Sequence, residues 1–167
     1  HIKQREVVVY NINKTTAIEF VEGERSWFLS DSVVLTDPSN IKYHVEGYRA
    51  KTGISDPALV SIEDPFVKSD DFIKKEEVIQ FGNFRIGLIQ RHTYLQPLKN
   101  KFEVDLLIFS GNPKMTPIEA REIFTFDELV FDASNAPWNI IKWKAECKKT
   151  GISYYDVKER GAWIKSF

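Results

Sequence analysis

The clearest pattern of hydrophobic and polar segments lies in the last third of the chain. Residues 104–109 form a nearly continuous apolar run of branched and aromatic side chains, which predicts a strand covered on both faces. Residues 129–131 form a second, shorter apolar run. Between the two runs, Thr116, Pro117 and Glu119 have the order of a helix start, with a capping residue, a proline at the first helical position and the acidic partner of a capping box. The pattern therefore predicts strand, helix, strand.

The next helix is predicted by apolar side chains at spacings of three and four. Ile140, Trp143 and Cys147 form this stripe, and Gly151 is a typical stop signal. We expect Trp143 to be buried against the strand at 104–109, with Ile140 and Cys147 beside it. The end of the chain is then predicted as two strands at 152–156 and 162–165, joined through a turn at 159–161.

The beginning of the chain favours three strands in meander order. The run at 7–10 predicts the first strand, and the alternation at 17–22 predicts the second. A turn at 23–24 and a returning strand at 26–29 complete a hairpin. Residues 33–35 are predicted to extend this third strand.

The middle of the chain has weaker signals. A helix is predicted from Asp37 to about Lys51, closed by Gly53. A later hairpin is predicted with its turn at Gly82 and Asn83. The remaining middle segments are predicted as irregular or extended (55–68), as a turn or an edge (70–77) and as a polar connection (91–101).

Length and composition indicate one globular domain over residues 1–167. The chain has 167 residues, of which 43% are hydrophobic and 13% aromatic. Together with the pattern, this predicts an α/β (α+β) fold with mixed β-sheets and outer helices. No stretch approaches the ~20 apolar residues that span a bilayer, and no signal peptide is visible. The chain begins at His1 instead of methionine, so we expect a fragment of a larger protein.

Charge and histidine content limit the chemistry that we expect. The net charge is −1, which argues against strong bulk attraction to a polyanion. The three histidines, His1, His44 and His92, are far apart in sequence and form no metal-binding motif. The single cysteine, Cys147, excludes an intramolecular disulfide and fits a core position. We therefore predict no catalytic residues, no metal, no cofactor and no enzymatic activity.

Two polar loops are candidates for a vestigial pocket, because each directly follows a predicted buried strand and such loops gather at one edge of a layered structure. The alternative is that they are only strand-ending turns and helix caps. The candidate residues are Ser110, Gly111, Asn112, Asp132, Ser134 and Asn135.

A basic C-terminal stretch is a candidate for weak contact with single-stranded DNA. Trp138, Tyr154 and Tyr155 are interleaved with its basic residues, and aromatic platforms beside cations suit single strands. The alternative is a solvated helix face, which is the usual place for lysine. The candidate residues are Lys142, Lys144, Lys148, Lys149, Lys158 and Arg160.

Several segments together resemble the C-terminal domain of the ComEC competence proteins, which are membrane channels for DNA uptake. The segment LLIFSGNPK stands where that family has a Ser-His-His-Gly loop, and DASNAPW stands where it has an Asn-containing loop with a His-Pro pair. The segments KKTGISYYDVKERGAWI and VVVYNINKTTAIEFVEGERSWFLSD are similar to its closing and opening strands. The order of elements agrees, the metal-binding histidines are absent, and the resemblance is weakest at 50–73.

The resemblance implies a shortened metallo-β-lactamase-like sandwich. It further implies a non-catalytic soluble module of a bacterial DNA-uptake protein that is associated with the inner membrane. The resemblance does not indicate on which side of the membrane the module lies. Its partners would be the membrane channel portion of the same protein or incoming single-stranded DNA. The alternatives are a metal-dependent phosphodiesterase acting on DNA and a protein-interaction domain unrelated to DNA.

Overall fold

Two β-sheets lie face to face in the computed structural model, which describes residues 4–97 and 99–167. His1 and Leu98, which fall in the predicted chain start and the predicted connection at 91–101, lie outside the described residues. The strands are β1 (Arg5–Val9), β2 (Ala17–Glu22), β3 (Arg25–Ser30), β4 (Ala58–Ser61), β5 (Phe66–Ser69), β6 (Phe72–Lys75), β7 (Val78–Phe81), β8 (Phe84–Ile89), β9 (Phe102–Glu103), β10 (Leu106–Phe109), β11 (Phe124–Thr125), β12 (Glu128–Phe131), β13 (Tyr154–Asp156) and β14 (Trp163–Ser166). The helices are α1 (Ser32–Thr36), α2 (Ser39–Thr52), α3 (Pro117–Ile123), α4 (Pro137–Thr150) and α5 (Val157–Arg160).

The two large sheets differ in strand direction. The first has the order β14-β1-β2-β3-β4, and all its neighbours are antiparallel except β3 and β4. The second has the order β13-β12-β10-β8-β7-β6-β5, in which β8, β10, β12 and β13 are parallel and the rest pair as antiparallel hairpins. A small parallel pair, β9 with β11, stands apart. The predicted mixed sheets are confirmed.

Helices cover the outer side of each sheet. Aromatic side chains fill the space between the sheets, where Trp27 stacks on Phe72 with ring centroids 5.8 Å apart. Helix α2 packs Ile41 and Val45 on the outer side of the first sheet. Helices α3 and α4 cover the outer side of the second sheet, with Trp143 in the cluster between them and the strands. The α+β class with outer helices is confirmed as a four-layer arrangement.

The local helix signals are confirmed. The Thr116 side chain accepts from the backbone N–H of Glu119, and the Glu119 side chain accepts from the backbone N–H of Thr116, which is the capping box. Helices α2 and α4 end at Gly53 and Gly151, with φ of 76° and 75°, a left-handed conformation that glycine adopts without a steric penalty. In the described ranges no helix combines the length and the apolar character needed to cross a bilayer.

Three local predictions are wrong. Residues 33–35 lie in α1, because the Asp31 carboxylate accepts from Val34 N at 2.9 Å and starts a helix where a strand was expected. The segment 70–77, predicted as a turn or an edge, contains β6, which pairs on both sides. The segment 55–68, predicted as irregular or extended, contains the short strand β4 and most of β5. Glu159 and Arg160 of the turn predicted at 159–161 lie in α5, whose start is capped by Asp156. Short strands of this kind are stabilised by their neighbours more than by their own sequence.

Strand β2 is buried on both faces, so both of its glutamates, Glu19 and Glu22, are buried. Glu19 accepts hydrogen bonds from Tyr10, Ser26 and Arg49, at 2.8, 2.9 and 2.9 Å from their donor atoms. Burial, and then the negative charge of Glu19, raises the pKa of Tyr10. The carboxylate therefore links β2 to α2 through a paired charge, the condition under which a buried charge is tolerated.

Candidate functional site

The polar loops of the second sheet meet at one edge of the sandwich. Strands β8, β10, β12 and β13 are parallel, so the loops that follow them leave the sheet on the same side. The loop after β10 carries Ser110, Gly111 and Asn112, and the loop after β12 carries Asp132 to Asn135. The structure therefore brings all six predicted pocket residues into one hydrogen-bonded cluster.

Asp132 is at the centre of this cluster. Its Oδ2 accepts from the hydroxyl of Thr16 at 2.6 Å, and its Oδ1 accepts from the backbone N–H of Ser134 at 3.0 Å and from the hydroxyl of Ser134. The Ser110 hydroxyl is hydrogen-bonded to that of Thr16. Thr16 comes from the loop before β2 in the other sheet, so the cluster joins both sheets.

The two loops are also joined through their backbones. The N–H of Gly111 donates to Ser134 Oγ at 2.7 Å, and the N–H of Asn112 donates to Asn135 Oδ1 at 2.9 Å. Asn112 Oδ1 in turn accepts from the N–H of Ala136, the residue before α4, at 2.7 Å. These contacts fix the start of α4 against the loop after β10.

Gly111 and Asn112 in the first loop are residue types that suit the backbone conformation found there. Gly111 and Asn112 have φ of 67° and 61°, the left-handed region, where glycine and asparagine are the residues most readily accommodated. A branched residue at either position would strain the turn that presents these two N–H groups to the second loop.

The electrostatics of the cluster are dominated by the burial of Asp132. This carboxyl is fully buried, and burial raises its pKa to about 6, although hydrogen bonds from Ser134 and Thr16 lower it. Its environment thus consists of neutral donors. Among the described residues, no cationic side chain forms with it the ion pair that a permanently ionised buried carboxylate normally has.

The cluster is closed by its own hydrogen bonds. Among the described residues, no buried side-chain nitrogen or oxygen lacks a partner, and no group of His, Cys, Asp or Glu side chains is arranged to hold a metal ion. His44 is exposed on α2 and His92 is exposed after β8. A zinc site requires clustered imidazole, thiolate or carboxylate ligands with an open position, and the donor set at this edge does not fit that requirement.

A shallow cleft of about 430 Å³ lies beside the cluster. Ser110 and Gly111 contribute one wall, and the loop after β8 contributes Arg91, His92 and Tyr94. The Ser110 side chain is nevertheless buried, with its hydroxyl turned toward Thr16. The cleft thus borders the cluster without opening into it.

The structure does not gather the six predicted basic residues into one patch. Lys144 lies between two carboxylates, 2.6 Å from Asp156 and 2.5 Å from Glu159. Lys158 donates to the carbonyl of Asn135 at 2.8 Å. Arg160 lies over the ring of Tyr155 at 4.4 Å. The three remaining lysines are exposed on the outer side of α4: Lys142, Lys148 and Lys149.

The aromatic residues of this stretch are likewise divided between those that contact other parts of the protein and one that is exposed to solvent. Tyr154 stacks on Phe131 with centroids 5.9 Å apart, and the Tyr155 hydroxyl donates to the carbonyl of Gly161 at 3.1 Å. Trp138 is 73% exposed on α4. Of the three, Trp138 alone is placed to contact another molecule with its ring face.

Thr16 is the member of the cluster that the sequence did not reveal. It is separated from Asp132 by 116 positions, and neither the alternation of β2 nor the loop before it marks Thr16 as special. A hydroxyl directly before a buried strand is the only local signal, and it is too common to indicate a site.

Comparison with known proteins identifies a family. The family model described as the ComEC C-terminal domain matches residues 7–167. No curated protein and no solved structure matches the chain. The resemblance noted from the sequence segments is thereby confirmed over nearly the whole chain.

Proposed function

The chain belongs to the ComEC C-terminal domain family, and membership of this family suggests a role in competence DNA uptake. We propose that the chain is a non-catalytic module of a DNA-uptake membrane protein. It supports or contacts the membrane channel portion of the same protein or the incoming single-stranded DNA. Its place is at the bacterial inner membrane. The observation that carries the non-catalytic part is the closed hydrogen-bonded cluster around Asp132.

The cluster supports this proposal through its position and its chemistry. In a metallo-β-lactamase-like domain, the loops after the parallel strands would supply metal ligands, and the family resemblance puts a His-rich loop where this chain has Ser110 to Asn112. Here the backbone N–H groups of Gly111 and Asn112 donate to side chains of the other loop, and the Ser134 hydroxyl donates to Asp132, so these contacts hold the two loops together. Activation of a water or a serine would instead need a metal ion or a base held next to an open position.

The purified protein is expected to hold no stoichiometric zinc or manganese and to hydrolyse no phosphodiester. The measurement is elemental analysis after incubation with each metal and desalting, together with hydrolysis of a chromogenic phosphodiester and of labelled single-stranded DNA. About one metal per chain would contradict the expectation, since a ligand set of that kind binds tightly. Turnover that disappears in Asp132→Asn would contradict it equally and would favour the phosphodiesterase alternative.

Direct DNA contact through the exposed lysines of α4 is expected to be weak. Three lysines can make only a few phosphate contacts, and the net charge of −1 adds repulsion elsewhere on the surface, so we expect a dissociation constant no tighter than about micromolar. Because released counterions would drive this binding, the affinity is expected to fall as the salt concentration rises. The measurement is fluorescence anisotropy of a labelled oligonucleotide at low and at physiological salt.

Charge-reversal variants distinguish DNA binding through the α4 lysines from general electrostatic attraction of DNA to the protein. Lys148→Glu/Lys149→Glu is expected to weaken the binding, and to leave the fold unchanged because both side chains are exposed outside the buried stripe. The matched control is Lys51→Glu/Lys75→Glu, which reverses two exposed lysines on α2 and β6 and changes the net charge equally. Identical binding by both double variants would remove α4 as the DNA contact and leave the channel portion as the partner.

A further inference from the structure

The outer face of α4 combines exposed apolar side chains with lysines and carries no acidic residue. Its members recur at spacings of three and four, so they share one side of the helix. Trp138 is 73% exposed and Ile141 is 69% exposed, so two large apolar side chains lie close together in solvent on one side of the helix. The face, called here the α4 outer face, consists of Trp138, Ile141, Lys142, Ala145, Lys148 and Lys149.

The rest of the helix is fixed, so the α4 outer face cannot turn inward. Ile140, Trp143 and Cys147 are buried in the cluster under the helix. On one flank, Glu146 accepts from the backbone N–H of Ile118 at 3.0 Å and is directed to α3. On the other flank, Lys144 is held by Asp156 and Glu159. The arrangement keeps Trp138 and Ile141 in solvent unless another surface covers them.

The carboxylates closest to this face belong to its flanks. Glu146 is engaged by the start of α3, and Glu159 is paired with Lys144. Glu119 and Glu122 are exposed on the neighbouring helix α3, where Glu119 also closes the capping box. The positive charge of the α4 outer face is therefore concentrated along one line of the helix, beside the two large apolar side chains.

This combination fits the surface of an anionic lipid bilayer. Tryptophan prefers the headgroup level of a bilayer, and an aliphatic side chain beside it can enter the acyl boundary. Lysines contribute attraction to anionic headgroups while their aliphatic stems stay on the apolar surface. All of these groups lie on the outward side of an outermost helix, and a bilayer is a broad surface that such a convex face can meet.

A single nucleic-acid strand fits the same face less well. Strand binding uses a groove that follows the backbone and successive aromatic platforms for stacking. The α4 outer face is convex, has one aromatic ring and has Ile141 and Ala145 where further rings would be needed. We therefore infer that the α4 outer face docks on the surface of an anionic phospholipid bilayer, with Trp138 and Ile141 at the headgroup level and Lys142, Lys148 and Lys149 against the lipid phosphates.

Vesicle binding tests this docking directly. The protein is mixed with vesicles of phosphatidylcholine containing phosphatidylglycerol, and with vesicles of phosphatidylcholine alone, and the bound fraction is measured by sedimentation. Binding is expected to the anionic vesicles and to be lost at high salt. Trp27, Trp143 and Trp163 are buried, so a blue shift of tryptophan fluorescence on binding is expected to come from Trp138.

Two variants and a control assign the binding to this face. Lys148→Glu/Lys149→Glu is expected to lower the partition coefficient at least about thirtyfold, because each lysine near an anionic surface contributes about a factor of five. Trp138→Ala/Ile141→Ser is expected to lower it about tenfold and to abolish the blue shift. Lys51→Glu/Lys75→Glu, with the same change in net charge, is expected to bind as the unaltered protein does. Circular dichroism verifies that each variant is folded.

Several outcomes would overturn the docking. These are equal binding to neutral vesicles, no binding to either kind of vesicle, and vesicle binding that Trp138→Ala/Ile141→Ser leaves unchanged. Tighter binding of a single-stranded oligonucleotide than of anionic vesicles at the same salt would assign the face to nucleic acid. None of these results affects the metal analysis and the hydrolysis assay, which test the proposed non-catalytic role separately.

Discussion

Replacing Trp143 by alanine is expected to destabilise the protein by about 3–5 kcal/mol, the range for removing a large buried aromatic side chain. The side chain is 2% exposed, and its ring lies 5.1 Å from that of Phe109 and 5.4 Å from that of Phe131. Truncation would leave a cavity between α4 and the two central parallel strands. Ile140 and Cys147 line the same cluster and are held by the helix backbone, so the cavity can close only in part.

The matched control is Trp138→Ala, the same substitution one and a half turns earlier in α4. Its side chain is mostly in solvent, so the expected loss is within about 0.5 kcal/mol. Both variants are measured by urea unfolding monitored by circular dichroism. A loss below about 1 kcal/mol for Trp143→Ala, or equal losses for the two variants, would contradict the packing of α4 described above.

Asp132 is expected to make the protein less stable as pH rises from about 4 to about 6. Burial raises the pKa of this carboxyl from 3.8 to about 6 in the folded state. Between these two pH values the folded protein retains a proton that the unfolded chain has already lost. Stability therefore decreases with rising pH in that window, by about 3 kcal/mol in total, and the decrease is complete above the folded pKa.

Asp132→Asn tests this expectation because it removes the charge and keeps the shape. The amide can donate to the Thr16 hydroxyl from the position of Oδ2, and its oxygen can accept from Ser134. The variant is expected to lose the decrease between pH 4 and 6 and to exceed the unaltered protein in stability at neutral pH. The measurement is urea unfolding at a series of pH values.

The control for the pH series is Asp127→Asn, the same substitution at an exposed aspartate directly before β12. It is expected to leave the pH profile unchanged. If Asp132→Asn follows the same profile as the unaltered protein, or lowers stability equally at every pH, Asp132 is ionised at acidic pH and the described burial cost does not exist.

The sequence alone was sufficient for the elements that depend on neighbours within one or two turns. The capping box at Thr116, the apolar stripe of α4 and the helix stop at Gly151 were all predicted from residues close together in the chain, and the structure confirms them. The apolar run at 104–109 was predicted as a strand covered on both faces, and β10 is buried throughout. Such signals are local because capping and helical periodicity are local.

The short strands of the middle segment could not be predicted in this way. Strands β4, β5 and β6 have four residues each, and their sequences show little alternation. Strand β4 completes the hydrogen bonds of β3, which comes from a distant part of the chain. Strands β5 and β6 continue the antiparallel hairpins that lead to β7, and their pairing and packing in the second sheet stabilise them more than their own sequences do.

The candidate site shows the same division. The sequence determined which loops would be polar, and it placed Ser110 to Asn112 and Asp132 to Asn135 after buried strands of one layered fold. Only the tertiary structure decided that these loops close on each other and that Thr16, 116 positions before Asp132, completes the cluster from the other sheet. It likewise decided that Lys144 and Lys158 bind groups of the protein itself while Lys148 and Lys149 stay exposed. The physical reason is that hydrogen bonding and burial depend on which groups come within about 3 Å in space, and packing brings together residues that sequence spacing does not relate.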